Sequence, residues 1–308
     1  MAPLVWMVTG STSGIGAALV NQIIARGDKV IASGRKTEER LGHLKSDNVA
    51  LLDLDITSEW PEIKAKMEKA WETFGHIDVL VNNAGTSSLK SAEDADETFI
   101  NQMFQVNVFG HMKVTRAILP FLRAQGHGRI GFTSSSSEWG PIPFMSHYAA
   151  SKAALSTYVE SLHKEVRPLG IECVSFACGG FPTNLGQPRD SGTAGFGSEG
   201  TSIQAYQPLM ADIAGMMMED PMAFMPGDLV KLSTVLVNIL SKEGLEAKLP
   251  WSVNIALGSD AFLMGKKRVE EHKIQLDRWK DVSCSTDRLP GTYTIKERYS
   301  GLISLLEE

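Results

Sequence analysis

Short, almost unbroken apolar runs alternate with longer amphipathic stretches through the first half of the chain. The runs "LVWMVTG", "KVIASG", "VALLDLD", "IDVLVNNAG" and "GRIGFTSS" read as strands buried on both faces. Between them, "IGAALVNQIIARG" and "WPEIKAKMEKAWETFG" carry apolar residues at helical spacing. Strand, helix, strand at this rhythm predicts a parallel sheet with helices on both faces. "IECVSFACGG" and "SVNIALG" add strands near residues 171–177 and 252–257. The expected fold is therefore α/β, a doubly wound parallel sheet of seven strands.

Two regions break the rhythm. Residues 185–228 are rich in Gly, Ser, Pro and Met and lack a strand pattern. A connection that long in a compact domain reads as a substrate-binding flap with short helices. Residues 1–258 are expected to form one domain, and 259–308 a C-terminal extension. The extension should be helical over "DAFLMGKKRVEEHKIQLDRWKDV" and irregular beyond it.

Composition narrows the function. Apolar residues make up 43% of the 308 and charged residues 21%, enough for a large core. The net charge of −6 argues against a nucleic-acid or anionic-membrane binder, which needs a basic face. Mild acidity also simply aids solubility. Cys173, Cys178 and Cys284 have no metal-ligand spacing, so no metal site is expected. "MAPLVWMVTG" has no basic leader, and no apolar run approaches the roughly 18 residues of a membrane span. A cytoplasmic protein with no membrane span is expected.

"VTGSTSGIGAALVNQII" runs from a strand into a helix. Thr9, Gly10, Gly14 and Gly16 make the pattern T-G-x-x-x-G-x-G. Glycine lets a pyrophosphate approach the backbone, and the helix behind it offers free N–H groups and a positive dipole end. Gly10, Thr12, Ser13, Gly14, Ile15 and Gly16 are the expected contacts to a dinucleotide. At the end of the second strand, an NAD site usually has an acid about 20 residues past the loop. Here Gly34 stands there and Arg35 follows. With no carboxylate to repel it, a 2′-phosphate fits against the guanidinium, so NADP(H) is the expected cofactor. The alternative for Arg35 is a solvated surface charge. Asp55, in "LDLDIT", is placed to accept from an adenine amine or to cap the following helix.

"HYAASKAAL" sets Tyr148 and Lys152 four residues apart on one helix face. A free phenol has a pKa of about 10, and an ammonium beside it favours the phenolate. A phenol brought towards the working pH both donates and removes protons well.

"TGSTSGIG", then "NNAG" at 82–85, then "YAASK" at 148–152 resemble the classical short-chain dehydrogenase/reductase family over about residues 4–258. The likeness implies a Rossmann-like fold and an oxidoreductase. Its active-site serine falls on Ser135, thirteen residues before Tyr148, with Ser134, Ser136 and Ser137 adjoining; its asparagine falls on Asn107. By resemblance, Tyr148 is general acid or base, and Lys152 tunes it and holds the nicotinamide ribose. Ser135 bonds the substrate carbonyl, and Asn107 holds a water leading to Lys152. Asn83 and Gly85 join the cofactor site. Gly179, Phe181 and Thr183 lie in the segment that meets the nicotinamide carboxamide, where Cys178 replaces the family's proline. The tail, with "LGSDA" and "WKDVSCSTD", resembles fungal members, which often act on secondary metabolites.

The residues just after Ser135 and just before Tyr148 should face the substrate: Glu138, Trp139, Phe144 and Met145. An apolar wall suits a bulky hydrophobic ketone. Met216 to Met218 belong either to that wall or to the core of a helix. The expected activity is NADPH-dependent reduction of a hydrophobic carbonyl compound, by a homodimer or homotetramer as the family resemblance implies. The rival readings are imine reduction, epimerisation or cyclisation on the same cofactor, or a non-catalytic NADP(H) sensor.

Overall fold

The computed structural model describes residues 3–186, 200–289, 294–296, 299–300, 302 and 304–305. The elements follow in chain order. The first are β1 (Val5–Val8), α1 (Gly14–Arg26), β2 (Lys29–Gly34), α2 (Thr37–Leu41), β3 (Val49–Asp53), α3 (Trp60–Phe74) and β4 (Val79–Asn82). Next come α4 (Glu97–Phe104), α5 (Gly110–Gln125), β5 (Gly128–Ser135), α6 (Ser146–Val166) and β6 (Ile171–Cys178). The last are α7 (Gln207–Glu219), α8 (Pro221–Phe224), α9 (Leu229–Ser241), β7 (Asn254–Leu257) and α10 (Ser259–Cys284).

The seven strands form one parallel sheet in the order β3-β2-β1-β4-β5-β6-β7. This is the predicted doubly wound sheet. Successive side chains of a strand point to opposite faces, so a sheet covered on both sides needs apolar residues at every position. In β1, Val5 and Met7 join a core with residues of α3, α5 and α6. Trp6 and Val8 join the other core, against α1 and α9. α1 ends at Gly27 in the left-handed region, φ +83°, whose N–H bonds Ile24 O. The chain winds outward from β1 to β3 and then returns to β4 beside β1. Ligands of such sheets bind at this reversal, outside the carboxyl ends of the strands.

Residues 187–199 of the expected flap lie outside the described residues. Of the rest, α7 and α8 are the predicted short helices. Met217 packs inward against the apolar cluster around Phe144. Met216 and Met218 are exposed, so the methionine run is split between wall and solvent. α10 has 26 residues, and Ala261 is its one buried side chain. Among the described residues, no helix is long and apolar enough to cross a membrane.

Candidate active site

The loop after β1 is stitched in place by backbone bonds. Thr9 N donates to Val81 O (3.0 Å) and Ser11 N to Ser33 O (2.9 Å). Gly10 and Gly14 adopt φ +66° and +55°. A Cβ on Gly10 would lie 2.7 Å from Ala84 Cα, and one on Gly16 would overlap Gly10 O. Only glycine allows the turn this close to β4. Ser13 precedes α1 in extended conformation; no side chain caps the helix and its first turn has no acid. That N-terminus is suited to a phosphate. The Asn83 side chain serves the loop itself. Its amide donates to Thr9 O (3.0 Å), and its oxygen accepts from Thr133 Oγ1 (3.2 Å).

At the end of β2, Arg35 and Lys36 are exposed and line the same cleft, as does Arg40. Arg40 donates to Thr12 Oγ1 at 3.4 Å. Sequence reasoning passed over Arg40; the signal was its place one helical turn past Lys36, on the short α2. The nearest β3 carboxylate, Asp53, accepts from Thr37 N (2.6 Å) and Oγ1 (2.7 Å), and these bonds hold it below the usual carboxylate range. Asp55 lines the cleft and accepts from Thr57 N (2.9 Å) and Oγ1 (2.7 Å). It does not cap α3, whose N-cap is Glu59.

The other end of the cleft, of about 1240 Å³ in all, is formed where β5, α6 and the segment after β6 converge. Tyr148 and Lys152, one turn apart on α6, are 6% and 3% exposed. Ser135 closes β5; its hydroxyl is hydrogen-bonded with the Tyr148 phenol and accepts from Ser137 N (3.2 Å). The adjoining serines are otherwise engaged or buried. Ser134 Oγ donates to Glu138 (2.7 Å), and Ser136 is buried. Ser135 meets the phenol, and both Ser134 and Ser135 line the cleft. Lys152 Nζ donates to Thr133 O (2.8 Å). Gly85 lies between Asn107 and Lys152: a Cβ there would stand 3.6 Å from Asn107 Oδ1 and 3.7 Å from Lys152 Nζ.

Asn107 sits in a single wide turn, Gln105–Phe109, between α4 and α5. Its oxygen accepts from Thr86 N (2.9 Å), and its amide donates to Thr86 O (2.9 Å) and Ser151 Oγ (3.0 Å). It therefore clamps the segment after β4 to α6. One turn further on, His111 is fully buried, with no partner for Nε2 among the described residues. Burial, with Lys152 nearby, takes its pKa down to about 3, so it is neutral.

The electrostatics depart from the sequence expectation. Burial, not the ammonium, dominates Tyr148 and pushes the phenol up to about 12; the bond with Ser135 opposes this. Burial also lowers Lys152 to about 8. Its Nζ is 5.9 Å from the phenol ring centre and turned onto Thr133. At neutral pH the phenol holds its proton and the amine is charged.

The four expected substrate residues are also placed differently; none lines the cleft. Glu138 turns back beneath α6 and accepts from Ser134 and Ser156, and burial raises its pKa. The Trp139 ring faces Gly265 of α10, where a Cβ would come within 3.0 Å of it. Phe144 and Met145 are each 9% exposed, in an apolar cluster with Leu89, Met103, Tyr148 and Ile213. Phe144 holds φ +66°, a conformation costing a bulky residue about 1–3 kcal/mol. Beyond β6, Cys178 lines the cleft as a neutral thiol, raised to about 12 by burial. Gly179, Phe181 and Thr183 line it too, and Thr183 stands beside Gly14 of the phosphate loop.

An uncapped helix start behind a glycine turn, three cations at one end and a buried phenol at the other fit a nicotinamide dinucleotide. Fold and cleft together define a dinucleotide-dependent oxidoreductase architecture. The family model for short chain dehydrogenases matches residues 4–194, and the chain belongs to that family. An oxidoreductase of Botryotinia fuckeliana is 27% identical over 92% of this chain and 98% of its own length. The NADPH-dependent 1-acyldihydroxyacetone phosphate reductase of Saccharomyces cerevisiae is 32% identical over 67% of this chain and 74% of its own. A crystal structure of a short-chain dehydrogenase from Streptomyces avermitilis superposes with a TM-score of 0.79 at 31% identity, covering 93% of this chain and 99% of that one.

Proposed function

We propose that this oxidoreductase is an NADP(H)-dependent reductase of hydrophobic ketones, acting in the cytoplasm on secondary-metabolite substrates and assembling as a homodimer or homotetramer. The observation that carries the reading is the convergence of Ser135, Tyr148 and Lys152 on the same cleft as the uncapped start of α1. Arg35, supported by Lys36 and Arg40, holds the 2′-phosphate, and Asp55 faces the adenine. When bound, the nicotinamide supplies the hydride. The chain supplies the rest. Ser135 orients the substrate carbonyl and stabilises negative charge on its oxygen. Tyr148 donates the phenolic proton to that oxygen. A phenol raised to about 12 is fully protonated at pH 7 and still a far stronger acid than the alcohol it forms. Lys152 holds the ribose hydroxyls and favours the phenolate left behind. Leu185, which lines the cleft and packs against the cluster around Phe144 and Met145, offers apolar surface to the substrate's body.

The test is a panel of aromatic and aliphatic ketones with NADPH and with NADH, followed by nucleotide absorbance. Oxidation of NADPH by bulky apolar ketones, with NADH poorly used, supports the reading. Preference for NADH, or no turnover with any carbonyl, contradicts it.

A further inference from the structure

The C-terminal helix contributes little to the core, yet its first turn reaches the turn after β6. Asp260 Oδ2 accepts from Gly180 N at 2.7 Å. Just before it, Gly179 N donates to Leu257 O (2.9 Å), the last rung between β6 and β7. The carboxylate thus takes the first backbone amide beyond that rung. The other side of the same residue is also engaged, because Gly180 O accepts from Gly227 N (2.9 Å), just ahead of α9. Gly180 is thus held between α10 and the end of the flap segment.

The fit around the carboxylate is close. A Cβ on Gly179 or on Gly180 would overlap, respectively, Asp260 and the Phe224 carbonyl. Asp260 Oδ1 is buried with no hydrogen-bond partner among the described residues. An unsatisfied buried carboxylate oxygen is costly. The start of α10, with its positive dipole end, offsets part of that cost. The same helix packs on the segment after β5, with Met264 against Gly140 and Gly265 against Trp139.

We propose that Asp260 is a positioning residue for the nicotinamide end of the cleft. It clamps the Cys178–Gly180 turn, so that the C-terminal extension, through one carboxylate, sets how the reactive half of the cofactor is held. This rests on the dinucleotide reading above.

The test compares NADPH with 2′-phospho-ADP-ribose, the same nucleotide without its nicotinamide, by direct binding to wild type, Asp260→Ala, Asp260→Ser and Asp260→Asn. Loss of a bond to a charged acceptor predicts that NADPH binds Asp260→Ala and Asp260→Ser about tenfold more weakly. 2′-Phospho-ADP-ribose should bind them as it binds wild type. Asp260→Asn keeps an acceptor and should recover most of the affinity. Hydrogen exchange of residues 178–186 should quicken in the alanine and serine variants. Equal weakening of both ligands makes Asp260 merely structural and overturns the inference. So does NADPH binding unchanged in every variant that folds. A wild type that binds neither ligand overturns the dinucleotide reading itself, and the inference with it.

Discussion

At the loop end of the cleft the polar groups are backbone amides and the exposed side chains of Arg35, Lys36 and Arg40. At the tyrosine end they are a phenol and an ammonium, each less than a tenth exposed. The contrast teaches where specificity and chemistry can reside. Solvated cations recognise a phosphate at little cost to the fold and are individually replaceable, because water and neighbours compensate. A buried phenol and ammonium are costly to hold, and each has its acidity displaced by the site: up to about 12 for Tyr148, down to about 8 for Lys152. Losses at the tyrosine end should therefore be large and kinetic. At the loop end they should be modest and confined to cofactor choice.

The comparison breaks first at Lys152. Lys152→Met should lower kcat/KM with a ketone substrate by roughly 10²–10⁴-fold, the usual span for a group in the proton-transfer machinery. A loss below about tenfold, measured by steady-state kinetics, would remove the distinction between the two ends. Arg35→Ala should weaken NADPH by about tenfold, the worth of one charge-assisted bond, and leave NADH nearly unchanged. Equal effects on both nucleotides would mean that Arg35 does not meet the 2′-phosphate. The smallest effect is a pH slope in stability. Unfolded, the Lys152 amine keeps its proton until about 10.5; folded, it loses it near 8. Between these values the unfolded chain binds more protons, so Lys152 makes stability rise with pH there. Below pH 8 the cost of burying the ammonium is present in full. Against Lys152→Met, wild-type Tm should gain a few degrees from about pH 8 to 10. A flat difference would show the ammonium to be better solvated than its burial implies.

Much of this was legible because it is local. Strand runs buried on both faces and helices of 3.6 period are written in neighbouring residues, as is the glycine turn ahead of α1. The seven strands followed from that pattern alone. The i, i+4 spacing likewise put Tyr148 and Lys152 on one face of α6. What could not be read depends on partners far along the chain. Glu138 ends a short 3₁₀ turn after β5, and its direction is set in part by Ser156, eighteen residues on. Trp139 is drawn off by Gly265 of α10. Asn83 is engaged by Thr9 and Thr133. The phenol's acidity depended on a contest between burial and charge. The sequence shows the charge, and only the folded chain shows the burial.

The measurement that bears most directly on the account is single-turnover oxidation of bound NADPH by a ketone substrate in Tyr148→Phe. The account predicts a variant that folds, binds NADPH as wild type does, and oxidises it at least roughly 100-fold more slowly. Oxidation at the wild-type rate with the phenol oxygen removed would contradict it, and the proton donor would have to be sought elsewhere in the cleft.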